Sequence, residues 1–414
     1  MRVRELDPKS KGIAVHEGKR ILVPSAYPGD EVEGRIKRMR GELTLLDLEF
    51  KGKAEREKPF CPHFGSCGGC AMQDFPYSEQ LKAKEAMLAR LFPSAERDSI
   101  VPSETRFYRN RMDYAFFPGG IGMHSRGTWK HYANVEVCAI FSPKTTELMK
   151  RLRDWQETHN IQSYDIVKHD GQLRYAVFRE GKRTDERMLV ITTTGELEKN
   201  VVKDLNERMK GLITSLHTST LTRTADISLG ETKHAAGDEW IHEELLGEKF
   251  RILPGSFFQT NTLQAERMFT KLRSIVETIK PKIVWDLYAG MGTIARLIPS
   301  EEMHCVEENH DAVKLGKEDC PAHVRFYEGK VEQELITLPD PDLIIVDPPR
   351  GGMHPNVLKF LEGVPSPIIY VSCNPNVLAQ DILRLSKHKL TKIYPFDLFP
   401  HTMHVEVLAV LEPK

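Results

Sequence analysis

Ile283-Val284-Trp285-Asp286-Leu287 runs directly into Tyr288-Ala289-Gly290-Met291-Gly292-Thr293. The first five residues read as a buried strand, and the glycines that follow let the backbone turn tightly and approach a ligand closely. Working outward toward the C-terminus, residues 303–307, 324–327, 343–346 and 368–371 are further short apolar runs, and helical stretches at 312–318 and 377–385 lie between some of them. This alternation predicts an α/β fold, with a parallel sheet and crossover helices forming a Rossmann-like domain over residues 251–414. Ligands of such sheets sit at the carboxyl ends of the strands.

The polar residues fall at those ends. Glu307 closes the second strand, where a carboxylate can accept both hydroxyl hydrogens of an adenosine ribose. A dinucleotide site would show Gly-x-Gly-x-x-Gly, which this loop lacks, so the reading tilts to S-adenosylmethionine. Asp347-Pro348-Pro349-Arg350 ends a later strand, and its prolines fix a loop that holds a carboxylate within reach of a planar base. Ser372-Cys373-Asn374-Pro375 ends the next. A thiol there points into the crevice, where a nucleophile belongs. Pro400-His401-Thr402-Met403-His404-Val405-Glu406 opens the last strand and offers a carboxylate and two imidazoles for proton work.

Residues 1–52 read as a small β-barrel of the OB type, with short apolar stretches separated by turns at Glu17-Gly18 and Pro28-Gly29-Asp30. Residues 53–250 read as a mixed α/β domain, with a helix over 78–91 and strands at 173–178 and 188–193. Within it, Cys61, Cys67 and Cys70 stand in a C-x5-C-x2-C loop rich in glycine, and Cys138 is the natural fourth ligand. Four thiolates suit an iron–sulfur cluster or a structural zinc, with His63 an alternative zinc ligand.

The 414 residues carry seven cysteines and a formal charge of −1. An odd cysteine count argues against a disulfide framework. No apolar run is long enough to span a bilayer and the N-terminus is too polar for a secretory signal, so the expectation is a cytoplasmic protein without membrane contact. Near-neutral charge can hide local basic patches. One candidate is Arg35, Lys37, Arg38 and Arg40. Another is Arg106, Arg109, Arg111, Arg126 and Lys130, interleaved with Phe107, Tyr108, Tyr114 and Trp129, whose rings could stack on bases or belong to a core.

Taken in order, the barrel-like start with Val23-Pro24-Ser25-Ala26-Tyr27-Pro28-Gly29-Asp30, the cysteine loop, Gly255-Ser256-Phe257-Phe258-Gln259-Thr260-Asn261, and the motifs around Asp286, Asp347, Cys373 and Glu406 resemble the RNA 5-methyluridine methyltransferase family. The resemblance implies a TRAM RNA-binding domain over 1–52, a central domain over 53–250 and an S-adenosylmethionine-dependent domain over 251–414. It further implies that Gln259, Tyr288, Glu307 and Asp347 contact cofactor or target base, with Thr293 at another cofactor position. Cys373 would be the nucleophile and Glu406 the base. Cys61, Cys67, Cys70 and Cys138 would carry a [4Fe-4S] cluster. The implied substrate is a uridine in structured RNA, 23S rRNA ahead of the tRNA T-loop, and no obligate protein partner is inferred. Two other classes remain open: an amino-group methyltransferase, which needs neither Cys373 nor Glu406, and a non-catalytic RNA-binding protein or chaperone that retains the fold.

Overall fold

The computed structural model describes residues 1–414, with Ile336 left aside. The chain forms two compact units, one of residues 1–57, 74–103 and 264–414, the other of residues 58–73 and 104–263. The cuts fall after residues 57, 73, 103 and 263. The segment 74–103, however, returns to the first unit.

In the first unit, the N-terminal strands Val3–Leu6, Gly12–His16, Lys19–Val23, Glu31–Met39 and Glu42–Gly52 form one sheet. An antiparallel bridge from Arg2 to Glu31 links its ends, so the sheet closes on itself. Val3, Ala14, Ile21, Val23, Val32 and Leu45 fill the interior, the inward half of an alternating pattern. Arg35, Lys37, Arg38 and Arg40 all lie exposed on this sheet or its turn.

The other sheet of this unit runs, in spatial order, Val324–Glu328, Glu302–Glu307, Ile283–Leu287, Leu343–Val346, Ile368–Ser372, Glu406–Pro413 and His388–Phe396, with Glu96–Arg97 at its edge. The first five are parallel, and Glu406–Pro413 is antiparallel to both its neighbours. The strand order reverses between Ile283–Leu287 and Leu343–Val346, which opens a crevice at their carboxyl ends. Near-continuous Val and Ile in Leu343–Val346 and Ile368–Ser372 reflects burial on both faces.

The second unit is built on a seven-stranded sheet ordered Glu231–Gly237, Ser215–Thr220, Arg187–Thr193, Leu173–Glu180, Arg111–Phe117, Gly120–His124 and Tyr132–Asn134. Helices Thr145–Thr158 and Lys199–Met209 bury Leu148, Leu152, Trp155 and Leu205 against Phe178, Leu189 and Ile191. Tyr108 and Tyr114 are core residues here, whereas Phe107 and Trp129 remain 41% and 54% exposed. Of the proposed stacking rings, only those two present surface. Among the described residues, no helix is long and apolar enough to cross a membrane.

Candidate active site

The turn after Ile283–Leu287 is built from left-handed backbone at Tyr288, Gly290 and Gly292, with φ of 66°, 56° and 77°. The N–H groups of Tyr288 and Ala289 both donate to the Val306 carbonyl, at 3.0 and 3.1 Å, and tie the turn to the neighbouring strand. A side chain at Gly292 would meet Cys320 Sγ at 2.7 Å and the Phe326 ring at 2.8 Å, so only glycine fits. A left-handed Tyr288 costs on the order of 1 kcal/mol. Such strain is often kept where a ligand is held. Thr293 is the first residue of the short helix Thr293–Leu297 that follows.

Glu307 ends the adjacent strand as expected, but its carboxylate is already engaged. One oxygen accepts the Gly290 N–H at 2.9 Å and the other the Asn309 N–H at 2.8 Å. A carboxylate offers about four lone-pair sites, so both oxygens can still take a ribose hydroxyl. Asp286 is fully buried, and neither of its carboxyl oxygens has a hydrogen-bond partner. Burial pushes its carboxyl up to about 8, helped by the charges of Asp347 and Glu307. Three carboxyl groups thus converge, one with both acceptors unused. This is a fit for a cationic ligand rich in donors, which S-adenosylmethionine is, with its sulfonium, ammonium and ribose hydroxyls.

Asp347 follows directly on Leu343–Val346, and its N–H reaches the Leu287 carbonyl at 3.3 Å. Burial raises its carboxyl pKa. The antiparallel ladder ends on the pair Ser372 and Val407, and the next residues outward, Cys373 and Glu406, lie close enough to interact electrostatically. Pairing of Phe396 with Glu406 fixes the latter from its other side. Cys373 lines a cavity of about 110 Å³ with Pro8, Met87, Arg350, Asn374, Met403 and His404. Its thiol is pushed up to about 11 by burial and the Glu406 carboxylate, against the pull of the Arg350 guanidinium. Glu406, 1% exposed, is raised well above the usual carboxylate range by burial and by Asp347, with Arg350 again opposing. Arg350 is therefore the cation that acts on both groups. The sequence motif contained it, but nothing in the spacing assigned it that role, and His404 likewise emerges as a wall of the cavity.

Gln259 belongs to the second unit. It is buried, and its carbonyl accepts the Asn110 Nδ2 donor at 2.8 Å. The Arg179 guanidinium, itself buried, donates to the carbonyls of Leu253, Pro254 and Ser256 at 2.6, 3.1 and 2.6 Å. The loop that carries Gln259 is thus held by a residue far away in sequence. Within it Phe258 packs inward, whereas Phe257 stands 68% exposed. Neither Asn110 nor Arg179 carries a local signal of this work.

Cys61, Cys67, Cys70 and Cys138 line one cavity, together with His63, Gln73 and Met112. Burial pushes Cys70 up to about 12 and raises Cys67 and Cys138, while the other thiols of the group add to Cys67 and Cys70. Among the described residues, no three Cys, His, Asp or Glu side chains converge tightly enough to hold a metal ion. His63 Nε2 accepts the Glu136 N–H at 3.1 Å, which leaves the proton on Nδ1 and no free lone pair for zinc.

The doubly wound sheet, its glycine turn and the carboxyl groups at the strand ends define a methyltransferase-type fold, with Cys373 and Glu406 close together at the ends of neighbouring strands. Residues 335–414 match the family described as tRNA (Uracil-5-)-methyltransferase. The tRNA (uracil(54)-C(5))-methyltransferase of Pyrococcus abyssi is 33% identical over 99% of this chain and 99% of its own length. An RNA methyltransferase of Clostridium tetani, itself uncharacterized, is 32% identical over 100% of this chain and 97% of its own. The crystal structure of the P. abyssi enzyme with S-adenosyl-L-homocysteine superimposes with a TM-score of 0.83, at 31% identity and with 99% and 98% of the two chains covered. The chain belongs to the RNA 5-methyluridine methyltransferase family.

Proposed function

We propose that this protein methylates carbon 5 of a uridine in structured RNA, with S-adenosylmethionine as methyl donor and a covalent bond between Cys373 and uracil. The placement of Cys373 beside buried Glu406, under one guanidinium, is the observation that carries this reading. Carbon 5 of uracil is too weak a nucleophile to take a methyl group unaided. Addition of the Cys373 thiolate to carbon 6 produces an enolate whose carbon 5 can attack. S-adenosylmethionine, when bound, supplies the electrophilic methyl group. Glu406 then removes the carbon-5 proton, and elimination returns the thiolate. The target base must leave its stack to enter the crevice. An amino-group methyltransferase would have no use for this pair, and a non-catalytic chaperone no use for either group.

The relatives with named substrates act on uracil 54 of tRNA, so we place the tRNA T-loop first and 23S rRNA second. Incubation with labelled cofactor, followed by digestion and nucleoside mapping, tests this. 5-Methyluridine at position 54 of tRNA is expected. Label confined to 23S rRNA would move the target, and label in any nucleoside other than 5-methyluridine would sink the reading.

A raised thiol pKa gives the reaction a pH signature. Below about 11 the thiolate fraction climbs with pH. Covalent trapping by RNA that carries 5-fluorouridine should therefore accelerate by about tenfold per pH unit between roughly pH 6 and 9. A flat profile would mean that the thiolate forms by a route other than simple deprotonation.

Glu307→Ala should weaken S-adenosylmethionine binding by roughly 1.5–3 kcal/mol, the scale of a lost hydrogen bond to a charged group. The variant also removes the acceptor for Gly290 and Asn309. Titration calorimetry reads the loss, and unchanged affinity would displace the cofactor from this crevice.

We further propose a [4Fe-4S] cluster on Cys61, Cys67, Cys70 and Cys138, a reading supported by the resemblance of the cysteine loop and by the cavity that the four thiols line together. Anaerobically purified protein should be brown and hold about four irons per chain. Stoichiometric zinc without iron would overturn it.

A further inference from the structure

We infer that Gln80 and Lys84, one turn apart on the first helix (Tyr77–Leu91), position the segment that delivers Glu406 and His404 to Cys373. This rests on the reading of Glu406 as the base. Both side chains are buried, unusual for polar residues on a helix of mixed charge. Lys84 Nζ lies 2.5 Å from Asp397 Oδ1 and donates to the Phe399 carbonyl at 3.2 Å. The Tyr77 hydroxyl donates to the other Asp397 oxygen at 2.8 Å. Asp397 immediately follows Phe396, the ladder partner of Glu406. Lys84 therefore grips the chain next to the residue against which Glu406 is registered.

Gln80 holds the far side of the same loop. Its Oε1 accepts the His401 N–H at 2.9 Å, and its Nε2 donates to the Phe75 carbonyl at 2.7 Å while lying 3.3 Å from His401 Nδ1. His401 is in the left-handed region, with φ of 65°. A non-glycine residue stays there only when its surroundings over-determine it. That reversal turns the chain from the end of His388–Phe396 back into Glu406–Pro413. On the way it passes Met403 and His404, which line the Cys373 cavity together with Met87 of the same helix. A buried lysine–aspartate pair is weak support for stability, because desolvation offsets its attraction. What such a pair does supply is a fixed geometry.

If the network positions Glu406, its loss should slow proton removal and spare thiol addition. In Gln80→Leu, kcat on normal RNA should fall at least tenfold with KM falling alongside it, so that kcat/KM changes little, because addition and methyl transfer precede the slowed step. A methylated RNA–protein adduct that survives denaturation should accumulate on that normal RNA. Trapping by 5-fluorouridine RNA should stay within threefold of the parent rate, since it needs only addition and methyl transfer. Turnover and trapping that fall together without adduct on normal RNA would overturn the proposal, as would an unchanged turnover. Should Gln80→Leu not fold, Lys84→Gln is scored by the same two assays. If neither variant folds, the network serves the fold alone and the proposal falls. Glu406→Gln run in parallel separates the two layers. If it accumulates no adduct, the reading of Glu406 as base fails, whatever the helix variants do.

Discussion

Glu406→Gln is expected to stall with RNA covalently attached, and Cys373→Ala to attach nothing. In the mechanism proposed above the two residues act at opposite ends of one reaction, so their loss should be distinguishable in a single denaturing gel of labelled RNA. Cys373 starts the sequence, and without its sulfur no carbon-6 adduct forms. Turnover should drop by on the order of 10⁶, the scale seen when a covalent nucleophile is removed. Glu406 acts after methyl transfer. The glutamine keeps the shape of the buried site but cannot accept the carbon-5 proton, so the methylated adduct cannot eliminate. A band that resists denaturation should accumulate in this variant on normal RNA. Wild type should give a similar band only with 5-fluorouridine RNA, because fluorine cannot leave as a proton. Formation of 5-methyluridine by Cys373→Ala would end the covalent reading.

Arg350→Met should be the most damaging change outside that pair. Its guanidinium lowers the thiol of Cys373 and opposes the upward shift of Glu406, which burial and Asp347 both drive. Methionine keeps some of the side-chain bulk and removes the charge. Both groups should then drift further toward their protonated forms, and developing negative charge should lose its counterion. Removal of one such electrostatic partner costs roughly 10²–10³ in rate. Trapping by 5-fluorouridine RNA is the cleanest readout, since it isolates thiol addition and methyl transfer from proton removal. Arg350→Lys should recover part of the loss, since lysine restores the charge without the planar fork. Parental trapping rates in Arg350→Met would show that the guanidinium is a bystander.

Much of the second sheet was legible because its period is local. The strands Ile283–Leu287 and Leu343–Val346 coincide with apolar runs bounded by turns, and the helix expected at 78–91 forms over Tyr77–Leu91. The first strand, Val3–Leu6, carries no such signal, because Val-Arg-Glu-Leu is too short to show alternation. The ring of Tyr114 could not be assigned between core and surface from its neighbours, since burial depends on the strand Leu173–Glu180, which pairs with its own strand from far along the chain.

The site divides in the same way. Sequence by itself marked the glycine turn after Asp286, the carboxylate of Glu307, the thiol of Cys373, the carboxylate of Glu406 and the cysteine loop of Cys61, Cys67 and Cys70, because each sits in a short motif whose chemistry is carried by adjacent residues. Only the tertiary structure decided that Cys373 lies beside Glu406 and that Arg350 serves both. It also decided that the Asp286 carboxyl is buried without a partner, that His63 has spent its lone pair on Glu136, and that Gln80 and Lys84 hold the loop before Glu406. These depend on strand register, on burial and on hydrogen bonds between residues hundreds of positions apart. Such properties arise when the chain packs and have no period or spacing by which a linear sequence could display them.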